Sequence, residues 1–453
     1  MKAKKILFSA AVLMAGFAAS ADTFLHGYMD YTNFAVGQQW KKKTGDDEWS
    51  HTEAAAEYGS FYNGRTQVTM DTFAQNFWFN FGVRLDSGLG EWYNNTRDAS
   101  SQTPDSGTDY DPTVFFQGFI RAAFMDEQVA LWTGKFEEWN DGYILDGYAL
   151  GGQNIRPIAD RGEGQHFTGI ELLPSAISGF KMLAGLPILP GAKDDVDYDI
   201  EGNKWKYLYK KVKIAASYNW ALYNVTFIGG FRPGTFYTGN NDYKDSSEGY
   251  SKNFFSEAWF QADMPSLIYG IKMNASYDLR WRKDNEYTGK VVTAHMLGAS
   301  ARITLVDGWT FNIEDRVAYA DDHYIAKNEK LLYNILGLQA VHSLAGTPYE
   351  VGLNLNFIAA ADAKGRAFGS DMRVSSDYFD DLAMTCEWMA PAANPKKNTA
   401  GKYFTVYAYP YFQKNFANGY FRSGVEFQYN RNKTSNVTEG ITYRVPAAFC
   451  FWF

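Results

Sequence analysis

Again and again along its 453 residues the chain sets one apolar side chain against one polar side chain, in stretches of roughly ten residues. From Phe77 to Leu85 every odd position is apolar, while Asn80, Gly82 and Arg84 share the even side. Ile271, Met273, Ala275, Tyr277 and Leu279 alternate with Lys272, Asn274, Ser276, Asp278 and Arg280. Val351, Leu353, Leu355 and Phe357 alternate with Glu350, Gly352, Asn354 and Asn356, and Phe421, Ser423, Val425, Phe427 and Tyr429 with Arg422, Gly424, Glu426 and Gln428. A period of two marks a strand whose faces meet two different media, because successive side chains point to opposite sides. Mean hydropathy is -0.36, and no apolar run of about 18 residues follows the N-terminus, which excludes a multispanning helical membrane protein. A hydrophobic content of 46% is too high for a disordered chain. The net charge of -8 argues against nucleic acid as a partner, since phosphate contacts need basic surface.

The two ends carry the most specific signals. Residues 1–21 read as a secretory signal peptide, leaving 22–453 as a single domain. Lys2, Lys4 and Lys5 form its basic start, Ile6 to Phe17 its apolar stretch, and Ala19-Ser20-Ala21 its small-residue cleavage site. Loss of the three lysines takes the formal charge to -11. At the other end Val445, Ala447, Phe449, Phe451 and Phe453 fall on one face, with Pro446, Ala448, Cys450 and Trp452 on the other. Here the chain resembles bacterial outer-membrane β-barrel proteins of the porin family, general or substrate-specific, whose last strand ends in Phe and serves as the assembly signal. The resemblance implies export, insertion by the barrel-assembly machinery and contact with outer-membrane lipid. Val445, Phe449, Phe451 and Phe453 would carry the signal.

The alternation places strands near 23–34, 65–76, 77–86, 113–124, 129–136, 165–173, 179–188, 211–219 and 222–231. It continues near 254–263, 267–280, 290–305, 309–319, 332–343, 348–359, 402–412, 420–430 and 440–453, with 380–389 a further unassigned candidate. The pattern does not fix the facing of 332–343 or 402–412. Short turns at Gln75-Asn76, Met125 to Gln128, Pro174 to Gly179, Asn219-Trp220-Ala221 and Met264-Pro265-Ser266 alternate with long connections over 35–64, 137–164, 189–210, 232–253 and 281–289. In a bacterial barrel that asymmetry assigns the short turns and both termini to the periplasm. In hydrocarbon every N–H and C=O needs an internal partner, and without an apolar helix only an edgeless sheet provides one. The expected fold is all-β: a transmembrane antiparallel up-and-down barrel of about 18 strands, or 16 if a weak pair fails. Such a barrel is too wide for its side chains to fill, so water occupies it.

Catalytic motifs are missing: there is no G-x-S-x-G, H-E-x-x-H, Walker loop or dinucleotide glycine motif. His26, His51, His166, His295, His323 and His342 are scattered without ligand spacing, so no enzyme activity, cofactor or metal is expected. Cys386 and Cys450 read as free thiols, being assigned to opposite ends of the barrel. Asp194, Asp195, Asp197, Asp199 and Glu201 read as a solvated acidic loop, because Ile200 and Lys206 stand where a calcium-binding loop needs Gly and Glu.

The informative constellation is the wall of the channel. Opposite the lipid-facing positions the pattern sets Arg84, Arg121, Lys181, Lys213, Lys272, Arg280, Arg302, Arg316, Arg422 and Arg444. Asp71, Glu171, Glu257, Asp278, Glu314 and Glu426 share that face, leaving four positive charges in excess within an acidic chain. Charged rings set selectivity in pores, so the wall predicts a mild preference for anions. The connection 137–164 carries Trp139, Tyr143, Ile144, Leu145, Tyr148, Leu150, Ile155 and Ile158, a costly set to leave in water. Folded inward it would form a constriction with Asp141, Asp146 and Asp160 facing Arg156 and Arg161; the alternative is an external loop packed on its neighbours. Trp78, Phe115 and Phe119 suggest an aromatic track for sugar rings, whereas Tyr407, Tyr409 and Tyr411 read as an interfacial girdle. The functional reading is an outer-membrane channel for passive diffusion of small hydrophilic solutes or ions, as a homotrimer or a monomer. The alternative is an adhesin or surface-binding barrel with little conductance.

Overall fold

The computed structural model describes residues 22–43, 48–54, 63–86, 113–135, 166–188, 212–235, 255–283, 289–320, 331–363, 401–432 and 437–453. Its elements are β1 (Asp22–Lys43), β2 (Trp49–Ala54), β3 (Asn63–Ala74), β4 (Phe77–Asp86), β5 (Thr113–Phe124), β6 (Val129–Lys135) and β7 (His166–Leu172). There follow β8 (Phe180–Ile188), β9 (Lys213–Trp220), β10 (Val225–Thr235), β11 (Phe255–Ile268), β12 (Ile271–Lys283), β13 (Val291–Ile303) and β14 (Trp309–Ala320). The chain ends with β15 (Leu331–Ser343), β16 (Tyr349–Ala363), β17 (Gly401–Phe416), β18 (Gly419–Gly424), β19 (Glu426–Asn432) and β20 (Val437–Trp452). All pairings are antiparallel, and apart from β2 with β3 and β18 with β19 each element pairs with its neighbours in chain order.

These segments make eighteen staves. β2 and β3 lie end to end along β1, β2 on its 37–42 half and β3 on its 22–32 half. β18 and β19 are two halves of one strand, interrupted at Val425, and each pairs with β17 on one side and β20 on the other. The sheet closes where β20 pairs with β1, from Tyr28 opposite Trp452 to Lys43 opposite Val437. At the seam Gly27 N–H donates to the Phe453 carbonyl and Phe453 N–H to the Gly27 carbonyl, both at 3.0 Å. Gly27 has to be glycine there, because a Cβ would lie 2.3 Å from the Gln67 carbonyl oxygen and 2.8 Å from the Phe453 ring.

The outward rows expose Leu25, Ile120, Leu131, Ile170, Phe260, Leu297, Ile313, Leu353, Phe427 and Phe449, as strands bathed in lipid require. Trp220, Tyr223 and Trp309 stand at the short-turn rim, where amphipathic rings suit a membrane interface. One turn differs from the sequence reading. Met264-Pro265-Ser266 is not the reversal between β11 and β12: the strand runs on to Ile268 and the chain turns at Tyr269-Gly270. Proline has no N–H for the ladder and reads as a turn residue, but here it sits in an irregularity between the Met264 and Ile268 pairings. Gly270, at φ 71°, supplies the left-handed residue of the turn.

Candidate functional site

Register decides what lines the interior. Asp71 pairs with Asn80, Trp78 with Arg121, Arg121 with Trp132, and Ala130 with Glu171, which sets these residues on one continuous inward row. Lys181 faces Ser217, and Lys272 faces Arg302 across β12 and β13. Arg84, Phe115, Lys213, Glu257, Asp278, Arg280, Glu314, Arg316 and Arg444 occupy positions on the same inward rows. Within them Glu257 is opposite Arg280, and Arg444 opposite Glu426. Asp141, Asp146, Arg156, Asp160 and Arg161, with the rest of 137–164, lie outside the described residues, as do Cys386, the acidic run at 194–201 and the segment 380–389.

Near the short turns of β3 to β8 the inward row is dry and aromatic. Trp78 meets Phe119 edge-on at 4.7 Å and Trp132 at 5.6 Å, and Phe73 stacks on Trp78 at 5.3 Å. Ala123, Ala130 and Leu183 complete the packing. Each indole is tied to a carboxylate: Trp78 Nε1 donates to Asp71 Oδ1 at 2.8 Å and Trp132 Nε1 to Glu171 Oε2 at 2.7 Å. Asn80 Nδ2 donates to the same Asp71 oxygen at 2.7 Å, and Arg121 Nη2 pairs with Glu171 Oε1 at 2.9 Å. The Arg121 guanidinium also lies 5.7 Å from the centre of the Trp132 ring. Trp132 is 1% exposed and Phe119 8%, so these rings are wall packing and offer little face to a passing solute. Trp78 and Phe73 keep part of their surfaces open.

Across the barrel the wall is polar. The girdle expected of Tyr407, Tyr409 and Tyr411 is corrected here: their register with Asn356, Asn354 and Gly352 sets all three inward, 2%, 3% and 6% exposed. A Tyr-x-Tyr-x-Tyr run fixes the period and not the facing. The intervening Val406, Ala408, Pro410 and Phe412 form the more apolar row and take the lipid side. Tyr407 Oη donates to Glu426 Oε1 at 3.0 Å. The Arg422 guanidinium is 4.4 Å from the Tyr411 ring centre and 4.9 Å from that of Tyr420, while its Nε donates to Gln413 Oε1 at 2.8 Å. Gln339 Nε2 donates to Asn354 Oδ1 at 2.9 Å and reaches Tyr411 Oη at 3.3 Å, and Asn312 Nδ2 donates to Gln339 Oε1. On β11 and β12 Asp263 accepts from Gln261 at 2.9 Å and from Asn274 at 2.6 Å.

Asp263 and Trp132 belong to the inward rows and were missed by the sequence reading, while Glu350, which the alternation sets on the polar face, was left out of the charges of the wall. Asp263 stands beside the misplaced turn. With Asp263 and Glu350 counted, the basic excess of the wall shrinks. Arg121 and Arg422 are moreover engaged with a carboxylate and with rings, so they hold the wall together as well as charging it.

No family model matches the chain, and no curated protein sequence does. Among solved structures, OccK9 (OpdG) of Pseudomonas aeruginosa is similar with a TM-score of 0.51 at 10% identity, over 95% of this chain and 99% of that one. A BenF-like porin from Pseudomonas fluorescens Pf-5 gives 0.49 at 10% identity, over 96% and 99%. Identity this low speaks to the fold: the chain is a closed antiparallel barrel of eighteen strands, built as bacterial outer-membrane porins are.

Proposed function

We propose that this barrel is an outer-membrane channel through which small hydrophilic solutes or ions diffuse without energy coupling, with a mild preference for anions. The observation that carries the proposal is the contrast between the two sets of rows. Outward side chains are mostly aliphatic and aromatic, while the inward rows of β11–β12 and β15–β18 carry amide, carboxylate, hydroxyl and guanidinium groups in hydrogen-bonded contact. Polar groups gain from facing inward only if water is there to complete their hydrogen bonding. Lys272 and Arg302 stand directly opposite each other across β12 and β13, and two basic side chains side by side favour an anionic solute along that stretch of wall. On this reading the short-turn rim and both termini face the periplasm, the barrel-assembly machinery reads the terminal Phe453, and 137–164 narrows the lumen.

Single-channel recording on refolded protein in a planar bilayer tests the reading. Steady ohmic openings are expected, with a reversal potential under a salt gradient on the anion side. A cation-side potential removes the anion preference. Absence of steady current removes the channel and leaves the surface-binding alternative. Asp146→Lys should raise anion selectivity and change conductance by a factor of about two, as a charge placed at a constriction would; unchanged traces would put 137–164 outside the narrowest point.

A further inference from the structure

The outward face of β12 to β15 departs from the apolar rule. Asp315 alternates with Asn312 and Glu314 on β14 and so shares the outward row of Ile313, Val317 and the exposed Tyr319. Among the described residues its carboxylate meets one hydrogen-bond donor, Asn334 Nδ2, from the outward row of β15. Asp315 is six residues beyond Trp309 at the short-turn rim. At a strand rise of about 3.3 Å and a tilt near 45°, that is roughly 14 Å along the membrane normal, near the middle of an apolar band about 25 Å tall. The other outward ionisable side chains near strand ends, Lys42, Lys414 and the Arg431–Glu439 pair, can reach an interface. Asp315 cannot. Toward the long-connection end the same face adds His295, whose Nδ1 is 2.8 Å from Tyr277 Oη and whose Nε2 is 3.0 Å from Thr293 Oγ1.

A carboxylate held in hydrocarbon by one amide is poorly compensated, and ionisable groups at that depth mark protein contacts or pathways. We infer that the Asp315–Asn334 pair is the centre of a two-fold interface with a second copy of this chain inside the membrane. The occupant has to present polar groups in mid-bilayer, which lipid does not. A second copy presents them at the matching depth, because the same apolar band seats both barrels. The pair is self-complementary: across a two-fold axis the amide of one protomer donates to the carboxylate of the other, and the reverse. Ala299, exposed and directly opposite Asp315 in the β13–β14 register, and exposed Ala275 beside it on β12 leave room for close approach. The inference needs the barrel to sit in a membrane and is independent of whether it conducts.

The test is native mass spectrometry of the full chain released from lipid nanodiscs, with chemical cross-linking in intact outer membranes. The wild type should appear at twice the protomer mass. Asp315→Leu combined with Asn334→Leu should shift it to a monomer, at least tenfold weaker in self-association, with conductance and heat-modifiable gel mobility kept. Should that pair of changes impair folding, Ala299→Trp keeps both polar groups and blocks close approach, and should give the same monomer. A wild type that is monomeric or trimeric, a cross-link to a different protein only, or a dimer that survives both variants overturns the interface.

Discussion

One carboxylate of the wall serves two partners. Glu171 is 3% exposed and holds both Arg121 and the Trp132 indole, so it fixes the spacing of β5, β6 and β7 at once. Glu171→Ala would strand a guanidinium and an indole N–H in a dry pocket. Breaking a buried pair in this way costs about 3 kcal/mol. Urea unfolding in lipid vesicles, followed by tryptophan fluorescence, should show that loss, and Glu171→Gln should show less because an amide oxygen still accepts from Trp132. A variant as stable as the wild type would mean that water already satisfies these groups. Gly352 illustrates the opposite constraint: a Cβ would lie 2.2 Å from Tyr411 Cζ, so the tyrosine occupies space the glycine vacates. That side of the sequence was illegible beforehand, since neither residue announces a partner 59 positions away in the chain.

Strands β5 and β6 approach closely in the dry region. Gly134 sits at φ 123° with the Gly118 carbonyl oxygen 2.3 Å and Phe119 Cα 2.6 Å from where a Cβ would be. Gly134→Ala therefore asks for a disfavoured backbone and a spread ladder together, a loss of roughly 2 kcal/mol. The expected outcome is a lower denaturant midpoint and a smaller heat-modifiable fraction; an unchanged midpoint would show that the hairpin spreads freely. The eighteen stave positions could be read from alternation because one face is in oil and one in water along each of them. The Tyr269-Gly270 reversal could not, because Pro265 inside β11 carries the local signature of a turn while the ladder absorbs it as an irregularity. Facing failed at β17 for a related reason. Tyrosine suits both a membrane interface and a polar lumen, so only the register with Asn354 and Asn356 distinguishes them.

Closure is a property of the complete barrel. The carboxyl-terminal Phe453 and Gly27 exchange two backbone hydrogen bonds across the β20–β1 seam. Deleting Phe453 removes both, a loss of about 2 kcal/mol at the usual net value per bond. It should lower the fraction recovered in outer membranes several-fold on cell fractionation, and full recovery would separate the seam from assembly. Alternation, the lack of a long apolar run and the terminal Phe were enough to specify strands, an edgeless sheet and two media, because side-chain period and backbone hydrogen bonding are local requirements that every segment states for itself. Which inward residues touch, that Trp132 and Glu171 lock, and that Asp315 faces outward beside Asn334, depended on register between strands. Register is set by the summed fit of whole neighbouring rows, and no single segment encodes it.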